Sequence, residues 1–167
     1  MKALIERKQF PVELYLIVGT EGPLIEQAQQ LGVEVTTLKL PEEFNELGDS
    51  VFKHRNRVIS ILLLLSRSLK TLPNLINYGK EFKQTLKEIQ PDLIHSNGIK
   101  THLLTIFAKP QKVPLIWHIH DFYGSRPLMA KILEWSSVHA QCGIAISQAV
   151  AEDARITLPK LSTVVMY

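Results

Sequence analysis

The chain has 167 residues, enough for one α/β domain of ordinary size and too few for two. Its composition, 46% apolar and 21% charged, excludes a disordered chain, a collagen-like repeat and a disulfide scaffold. A formal charge of +3 is too small to indicate nucleic-acid binding, and the single cysteine, Cys142, favours a reducing compartment, so we expect a cytoplasmic protein.

Short apolar runs alternate with helix-period segments along the chain. Residues 12–18 are apolar almost throughout, as in a strand buried on both faces. Residues 33–38 alternate between apolar and polar, as in an edge strand with one wet face. Six strands are predicted in all, at residues 12–18, 33–38, 92–95, 115–119, 143–146 and 163–166.

Helix-period segments separate these strands. A long helical region follows residue 52, breaks near Pro73 and ends at Pro91. In a later helix we expect Ile99, Leu103, Ile106 and Phe107 to face inward. The other predicted helices cover residues 24–31, 99–108, 127–141 and 148–156. Strands and helices alternating in this way predict an α/β fold with a doubly wound, Rossmann-like parallel sheet in a three-layer α/β/α domain, without an internal boundary in residues 1–167.

Ligands of an open parallel sheet bind where the strands end at their carboxyl edge. His118 and His120 share one face of a predicted strand, and only His120 and Asp121 extend to that edge. We interpret His118 as a core histidine and His120 as a functional group, because a titratable ring there lies beside a carboxylate. Asp121 is more readily explained as a residue that caps the following turn.

Two further segments at strand ends carry small polar residues. Asn97 and Gly98 can cap the next helix, or leave backbone N–H groups free for an oxyanion or a sugar hydroxyl. Ser147 is first of all a helix N-cap and only second a ligand contact. The loop at residues 19–22 lacks both a dinucleotide fingerprint and a P-loop, so no cofactor is expected.

The His-x-His pair at 118 and 120 also occurs in zinc hydrolases. Further ligands would have to come from His95, His102, His139 or scattered carboxylates, and no helical His-x-x-x-His pair is present. We therefore expect no metal site.

An apolar run at residues 58–65 is bracketed by basic residues. Eight residues cannot span a bilayer, which takes about 20. A core helix with solvated ends is the preferred interpretation, and peripheral contact with the inner face of an anionic membrane is the alternative. The basic residues concerned are Lys53, His54, Arg55, Arg57, Arg67 and Lys70.

Three segments in order resemble one family. They read PDLIHSNG at residues 91–98, VPLIWHIHDF at 113–122 and GIAISQAV at 143–150. This order resembles the amino-terminal, acceptor-side domain of family-4 retaining glycosyltransferases of GT-B type, and the resemblance covers the chain from about Leu14 onward.

The resemblance implies roles for the residues named above. His120 matches the active-site histidine beside the transferred sugar, and Asn97 and Gly98 match the loop on the acceptor side. Ser147 matches the serine that closes the next strand, and Asp121 follows His120 as in the family's His-Asp pair. The implied activity is transfer of a sugar from a nucleotide-sugar donor to a glycan or lipid-linked acceptor, with the histidine positioning a sugar hydroxyl.

The chain also departs from the family pattern. The donor-binding carboxy-terminal domain and the opening strand with its glycine-rich loop are not found in these residues, and residues 1–8 resemble the end of the first helix. We therefore expect a partial domain, truncated at both ends, that uses a nucleotide-sugar only with a second domain and is inactive without it. The alternative from another class is a non-catalytic α/β module that binds a glycan, a lipid or a protein.

Overall fold

The computed structural model describes residues 12–41 and 57–166, and for residues 57–71 it describes the backbone alone. The basic residues Lys53, His54 and Arg55 therefore lie outside the described residues, as does the segment 1–8. The chain divides into two compact units, Met1–Phe82 and Lys83–Tyr167, which are described separately below.

The first unit contains one βαβ repeat. Strand β1 (Tyr15–Val18) leads into helix α1 (Pro23–Gln30), and strand β2 (Glu34–Thr37) returns parallel to β1. Gly32, at a φ of +77°, ends the helix in the left-handed conformation that glycine adopts without penalty. Both strands begin later than the apolar pattern predicts, and the expectation that β1 is buried on both faces is wrong: Tyr15 is 43% exposed and the other residues of β1 are only half-buried.

Helix α2 (Arg57–Ile89) is continuous through Pro73, so the predicted break is wrong. A proline inside a helix removes one N–H donor and costs about 3 kcal/mol. Good helix formers such as Leu72 and Leu75 continue the helical period on both sides, and the single lost hydrogen bond does not end the helix. The helix ends before Pro91, as expected.

The second unit holds a four-stranded parallel sheet in the order β3-β4-β5-β6. The strands are β3 (Ile94–Asn97), β4 (Leu115–Ile119), β5 (Cys142–Ala145) and β6 (Thr163–Val165). The helices between them are α3 (Ile99–Ala108), α4 (Pro127–Ser136) and α5 (Gln148–Thr157). The predicted parallel α/β class is therefore confirmed.

Two boundaries differ from the sequence pattern. Strand β3 starts and ends two residues later than predicted, since Ser96 and Asn97 pair with Trp117 and His118 although serine and asparagine are poor strand formers. Helix α4 ends at Ser136, and a 3-10 turn (Ser137–His139) replaces its expected last turn. Among the described residues, the first unit contains a two-stranded sheet and the second a four-stranded sheet.

The core of the second unit lies between one face of the sheet and its helices. Leu115, Trp117 and Ile119 of β4 are fully buried there, against side chains of α4 and α5 such as Leu133 and Ala154. Ile99, Leu103 and Ile106 of α3 pack against this cluster as predicted, but Phe107 is 77% exposed. The buried residues of α3 are instead polar or small, so the apolar periodicity predicts the wrong inner face for this helix. These residues are His102, Thr105 and Ala108.

His102 is the buried histidine of this fold. Its Nδ1 lies 2.7 Å from Ser96 Oγ, and its ring stacks on the indole of Trp117 with centroids 4.7 Å apart and planes at 8°. Burial, together with smaller effects of positive charge on His120 and His95, lowers the pKa of His102 to about 3. The ring is therefore a neutral, packed aromatic group at pH 7.

The first prediction concerns acid stability. The pKa of His102 is about 3 in the folded chain and 6.5 when unperturbed, so the unfolded state takes up the proton first as the pH falls. The free energy of unfolding is unaffected by this group above pH 6.5 and decreases below it, by up to about 1.4 kcal/mol per pH unit until its folded pKa is reached. Urea denaturation between pH 7.5 and 4 measures this slope.

The matched variants are His102→Gln, which removes the buried titration, and His139→Gln, which removes an exposed imidazole. The first is expected to flatten the slope and the second to leave it. If His102→Gln does not fold, the ring resonances of His102 in the unsubstituted chain are expected to stay those of a neutral imidazole down to pH 4. Protonation of that ring near pH 6 contradicts the account.

The second prediction concerns Gly143 in β5. A Cβ at this position would lie 2.9 Å from Cδ1 of Ile119 and 3.1 Å from Cδ2 of Leu161, two buried side chains with little room to move. Gly143→Ala is expected to destabilise the fold by about 1–3 kcal/mol. Gly79→Ala in α2 meets nothing within 4 Å and is expected to stabilise by up to about 1 kcal/mol. Equal effects in thermal unfolding contradict this packing.

Candidate functional site

Strands β3 and β4 present different residues on their two faces. Because side chains alternate along a strand, Ser96, Trp117 and Ile119 point into the core, and the residues between them point to the other face. That second face is more open: His95, Asn97 and His120 are exposed and His118 is half-buried. The same alternation that builds the core therefore gathers the polar residues on one side.

Three imidazoles form a row on this open face, which we call the histidine row: His95, His118 and His120. The rings of His95 and His118 stack with centroids 5.1 Å apart and planes at 19°. The rings of His118 and His120 are 4.4 Å apart and tilted by 32°. The predicted common face of His118 and His120 is confirmed by this contact, but His118 is not a core histidine, a position that belongs to His102.

Two of the rings in the row, His95 and His118, favour the neutral form. Burial lowers the pKa of His118, and positive charge on His120 and His95 lowers it further. The pKa of His95 is lowered in the same way, first by burial and then by the charge of His120. A neutral imidazole offers one hydrogen-bond donor and one acceptor, so the row can match hydroxyl groups, which also both donate and accept.

Asn97 and Gly98 close strand β3 beside the row. Asn97 stands directly opposite His118 in the β3–β4 ladder. Gly98, at a φ of +91°, is the first flanking residue of α3, and no side chain caps this helix. Of the two residues expected to cap the helix, Gly98 occupies the N-cap position and Asn97 does not. The hydroxyl of Thr101 lies 2.6 Å from the carbonyl oxygen of Asn97 and 2.8 Å from that of Gly98, to which it donates. The Asn97 side chain stays on the open face.

Ser147 and Asp121 lie at the ends of the next two strands in the ladder. Ser147 caps α5 as predicted, since its Oγ accepts from the backbone N–H of Val150 at 3.3 Å. Asp121 is half-buried and follows His120, and its negative charge adds to burial in raising the pKa of Tyr123. Whether either residue contacts a substrate stays a prediction.

The polarity of the open face changes from one side of the sheet to the other. Ile144 of β5 stands opposite His118 and is half-buried, and Val164 of β6, opposite Ile144, is 49% exposed. The face is therefore polar at β3 and β4 and apolar at β5 and β6. A ligand with hydroxyl groups on one side and an apolar portion on the other fits such a surface.

The sequence pattern considered His95 only as one of several possible metal ligands, and it assigned His118 to the core. Local sequence does not bring the two residues together, because the register between β3 and β4 decides whether their rings meet. Within residues 12–41 and 57–166, no group of three or more His, Cys, Asp or Glu side chains is arranged to hold a metal ion. No helix in the same residues is long and apolar enough to cross a membrane.

Comparison with known proteins agrees with this architecture. The profile of Glycosyltransferase Family 4 matches residues 24–161. Among solved structures, the chain is similar to Anabaena Alr3699/HepE, crystallised in complex with UDP and glucose, with a TM-score of 0.60 and 17% sequence identity. The similarity covers 92% of this chain and 36% of the Anabaena chain, so the present sequence spans about a third of that protein's length. No curated protein matches the chain.

The structural similarity extends over nearly all of the chain and supports the Rossmann-like fold expected from the sequence. The profile match covers far more than half of the residues, including β3, β4, β5 and the segments that close them. The chain therefore belongs to Glycosyltransferase Family 4.

Proposed function

We propose that the chain forms the acceptor side of a sugar-transfer site, in which a glycan or a lipid-linked glycan binds against the histidine row. The observation that carries the proposal is the contact between His118 and His120, with ring centroids 4.4 Å apart, at the carboxyl end of the central strand β4. Ligands of open parallel sheets bind at this edge. The resemblance of residues 113–122 to the family's His-Asp segment supports a catalytic role at this position, because it implies that His120 is the active-site histidine.

His120 is the proposed catalytic residue. It is exposed at the end of β4, beside rings that hold it on the open face. An imidazole there can hydrogen-bond a sugar hydroxyl and stabilise charge that develops on the transferred sugar, without attacking it. Asn97, Gly98, Asp121 and Ser147 are the proposed substrate-binding residues, since they close the strands on either side of His120.

The donor is proposed to be a nucleotide-sugar held by a second domain. The Anabaena protein binds UDP and glucose, and this chain matches about a third of it. The resemblance of residues 91–150 to an acceptor-side domain supports the same arrangement, in which this chain binds the acceptor and a second domain binds the donor. We expect the chain alone neither to hydrolyse a nucleotide-sugar nor to bind one tightly.

A cytoplasmic location and peripheral contact with the inner face of a membrane are part of this proposal. An acceptor with a lipid portion favours membrane contact, and the apolar floor at Ile144 and Val164 would suit that portion. The basic residues at 53–55 lie outside the described residues, so their part in such contact stays a prediction.

The third prediction tests the role of His120. The full chain is mixed with the donor-binding domain of a family-4 glycosyltransferase, and sugar transfer to a glycan acceptor is measured. His120→Ala is expected to lower kcat on the order of a hundredfold, the size expected when a group aligned with the reacting centre is removed. His139→Ala, at an exposed position outside the row, is the matched control and is expected to retain the rate.

Full transfer by His120→Ala contradicts the assignment of this residue. Glycan binding by the chain without transfer in any pairing supports the non-catalytic module in its place. Binding of a protein partner with no glycan affinity contradicts the proposed site altogether.

The fourth prediction concerns pH. Because the pKa values of His95 and His118 are lowered by burial and by the charge of His120, both rings favour the neutral form at pH 7 and gain a proton only at a lower pH than an unperturbed imidazole. Protonation removes the acceptor nitrogen of each ring and places like charges next to each other. Glycan affinity, measured by titration calorimetry, is expected to be constant between pH 8 and 7 and to weaken as the buffer is acidified.

His118→Gln keeps a donor and an acceptor but does not titrate, so it is expected to reduce this pH dependence. His139→Gln is expected to retain it. An affinity that rises on acidification would mean that the charged rings bind the ligand, and it would contradict the neutral row.

A further inference from the structure

Outside the histidine row, the carboxylate of Asp153 in α5 accepts hydrogen bonds from two backbone N–H groups. Its Oδ2 accepts from the backbone N–H of Tyr123 at 2.6 Å. The backbone N–H of Gly124 lies 3.2 Å from both Oδ1 and Oδ2. Hydrogen bonds to an ionised carboxylate are stronger than neutral ones. One side chain of α5 therefore binds two successive peptide groups in the loop that follows β4.

The loop is shaped to admit this carboxylate. A Cβ at Gly124 would lie 2.7 Å from Asp153 Oδ1, closer than real Cβ contacts allow. Tyr123 has a side chain that is 1% exposed, so the peptide next to Gly124 is anchored in the core. The close approach of Asp153 thus depends on a glycine on one side and on a buried aromatic anchor on the other.

The fixed peptides lie three and four residues after His120. Strand β4 ends at Ile119, and the chain passes through His120 and Asp121 before it reaches the short 3-10 turn of Tyr123–Ser125. Without an anchor, a loop that leaves a sheet edge is free to take several conformations. The Asp153 carboxylate restricts the loop to one conformation close to His120. It also connects the loop to α5, the helix that Ser147 caps.

The geometry points to Asp153 as a positioning residue for the proposed sugar-transfer site: through its hydrogen bonds to Tyr123 and Gly124 it holds the loop after β4, and with it His120, in the conformation that binds substrate. This inference rests on the proposed function only for its effect on transfer. The structural part of the inference, that Asp153 determines the position of His120, does not depend on any activity.

The test uses three variants of the full chain. Asp153→Asn keeps the size of the side chain but replaces one acceptor oxygen by a donor NH₂ that faces a peptide N–H. Gly124→Ala disrupts the same contact from the loop side, because the added Cβ would lie too close to Asp153 Oδ1. Glu152→Gln is the matched control, because it removes an equal charge from the neighbouring residue of α5, whose hydrogen bond is to Gln148 within the helix.

The first measurement is spectroscopic and needs no substrate. In Asp153→Asn and Gly124→Ala, the amide resonances of residues 123 and 124 and the ring resonances of His120 are expected to shift. The indole resonance of Trp117 in the core and the ring resonances of His139 are expected to stay, which excludes general unfolding. Glu152→Gln is expected to reproduce the unsubstituted spectrum.

The second measurement is transfer in the two-domain assay. Both Asp153→Asn and Gly124→Ala are expected to lower kcat by about tenfold to a hundredfold, as small displacements of catalytic groups do, and Glu152→Gln to keep it. Unchanged His120 resonances in both loop variants overturn the inference, even if His120→Ala abolishes transfer. Shifted His120 resonances with full activity of His120→Ala overturn the proposed function and leave the positioning by Asp153 in place.

Discussion

The structure of the second unit depends on the two-residue alternation of strand β4. Leu115, Trp117 and Ile119 are fully buried on one side, so Ile116, His118 and the following His120 must point to the other. The stack of Trp117 on His102 fixes this register, because a slip by one residue would expose the indole and bury His118. The histidine row is thus a direct consequence of how the core is packed.

The two faces of the sheet use histidine in opposite ways. On the core face, His102 is sealed between Ser96 and Trp117, and its neutral form is a condition of the fold. On the open face, partial burial and the charge of His120 lower the pKa values of His95 and His118, which favours their neutral form, and both rings remain accessible to a ligand. The same type of side chain therefore contributes to the core on one face and lines the proposed binding site on the other.

The sequence predicts the element types well because apolar runs and helix-period segments are long enough to be distinguished. It fails where polar residues take core positions: the pattern points Phe107 inward, whereas His102 and Thr105 hold that place. It also fails at Pro73, where the local cost of proline is smaller than the tendency of the flanking residues to stay helical.

Of the candidate site, His120 and the N-cap role of Ser147 could be predicted from local sequence alone. His95 could not, because its contact with His118 depends on the register between two strands whose paired residues are 21 positions apart in the chain. The bond from Asp153 to the loop at Tyr123 and Gly124 is equally invisible, since it joins positions separated by 29 and 30 residues and follows no short motif.

The central claim is that the open face of β3 and β4 binds sugar hydroxyls through the histidine row. The most direct measurement follows the assigned ring resonances of all six histidines while a glycan acceptor is titrated into the full chain at pH 7. The account predicts saturable shifts at His118 and His120, a smaller shift at His95 and none at His102 or His139. Shifts confined to His139, or no shift at saturating glycan, would contradict it.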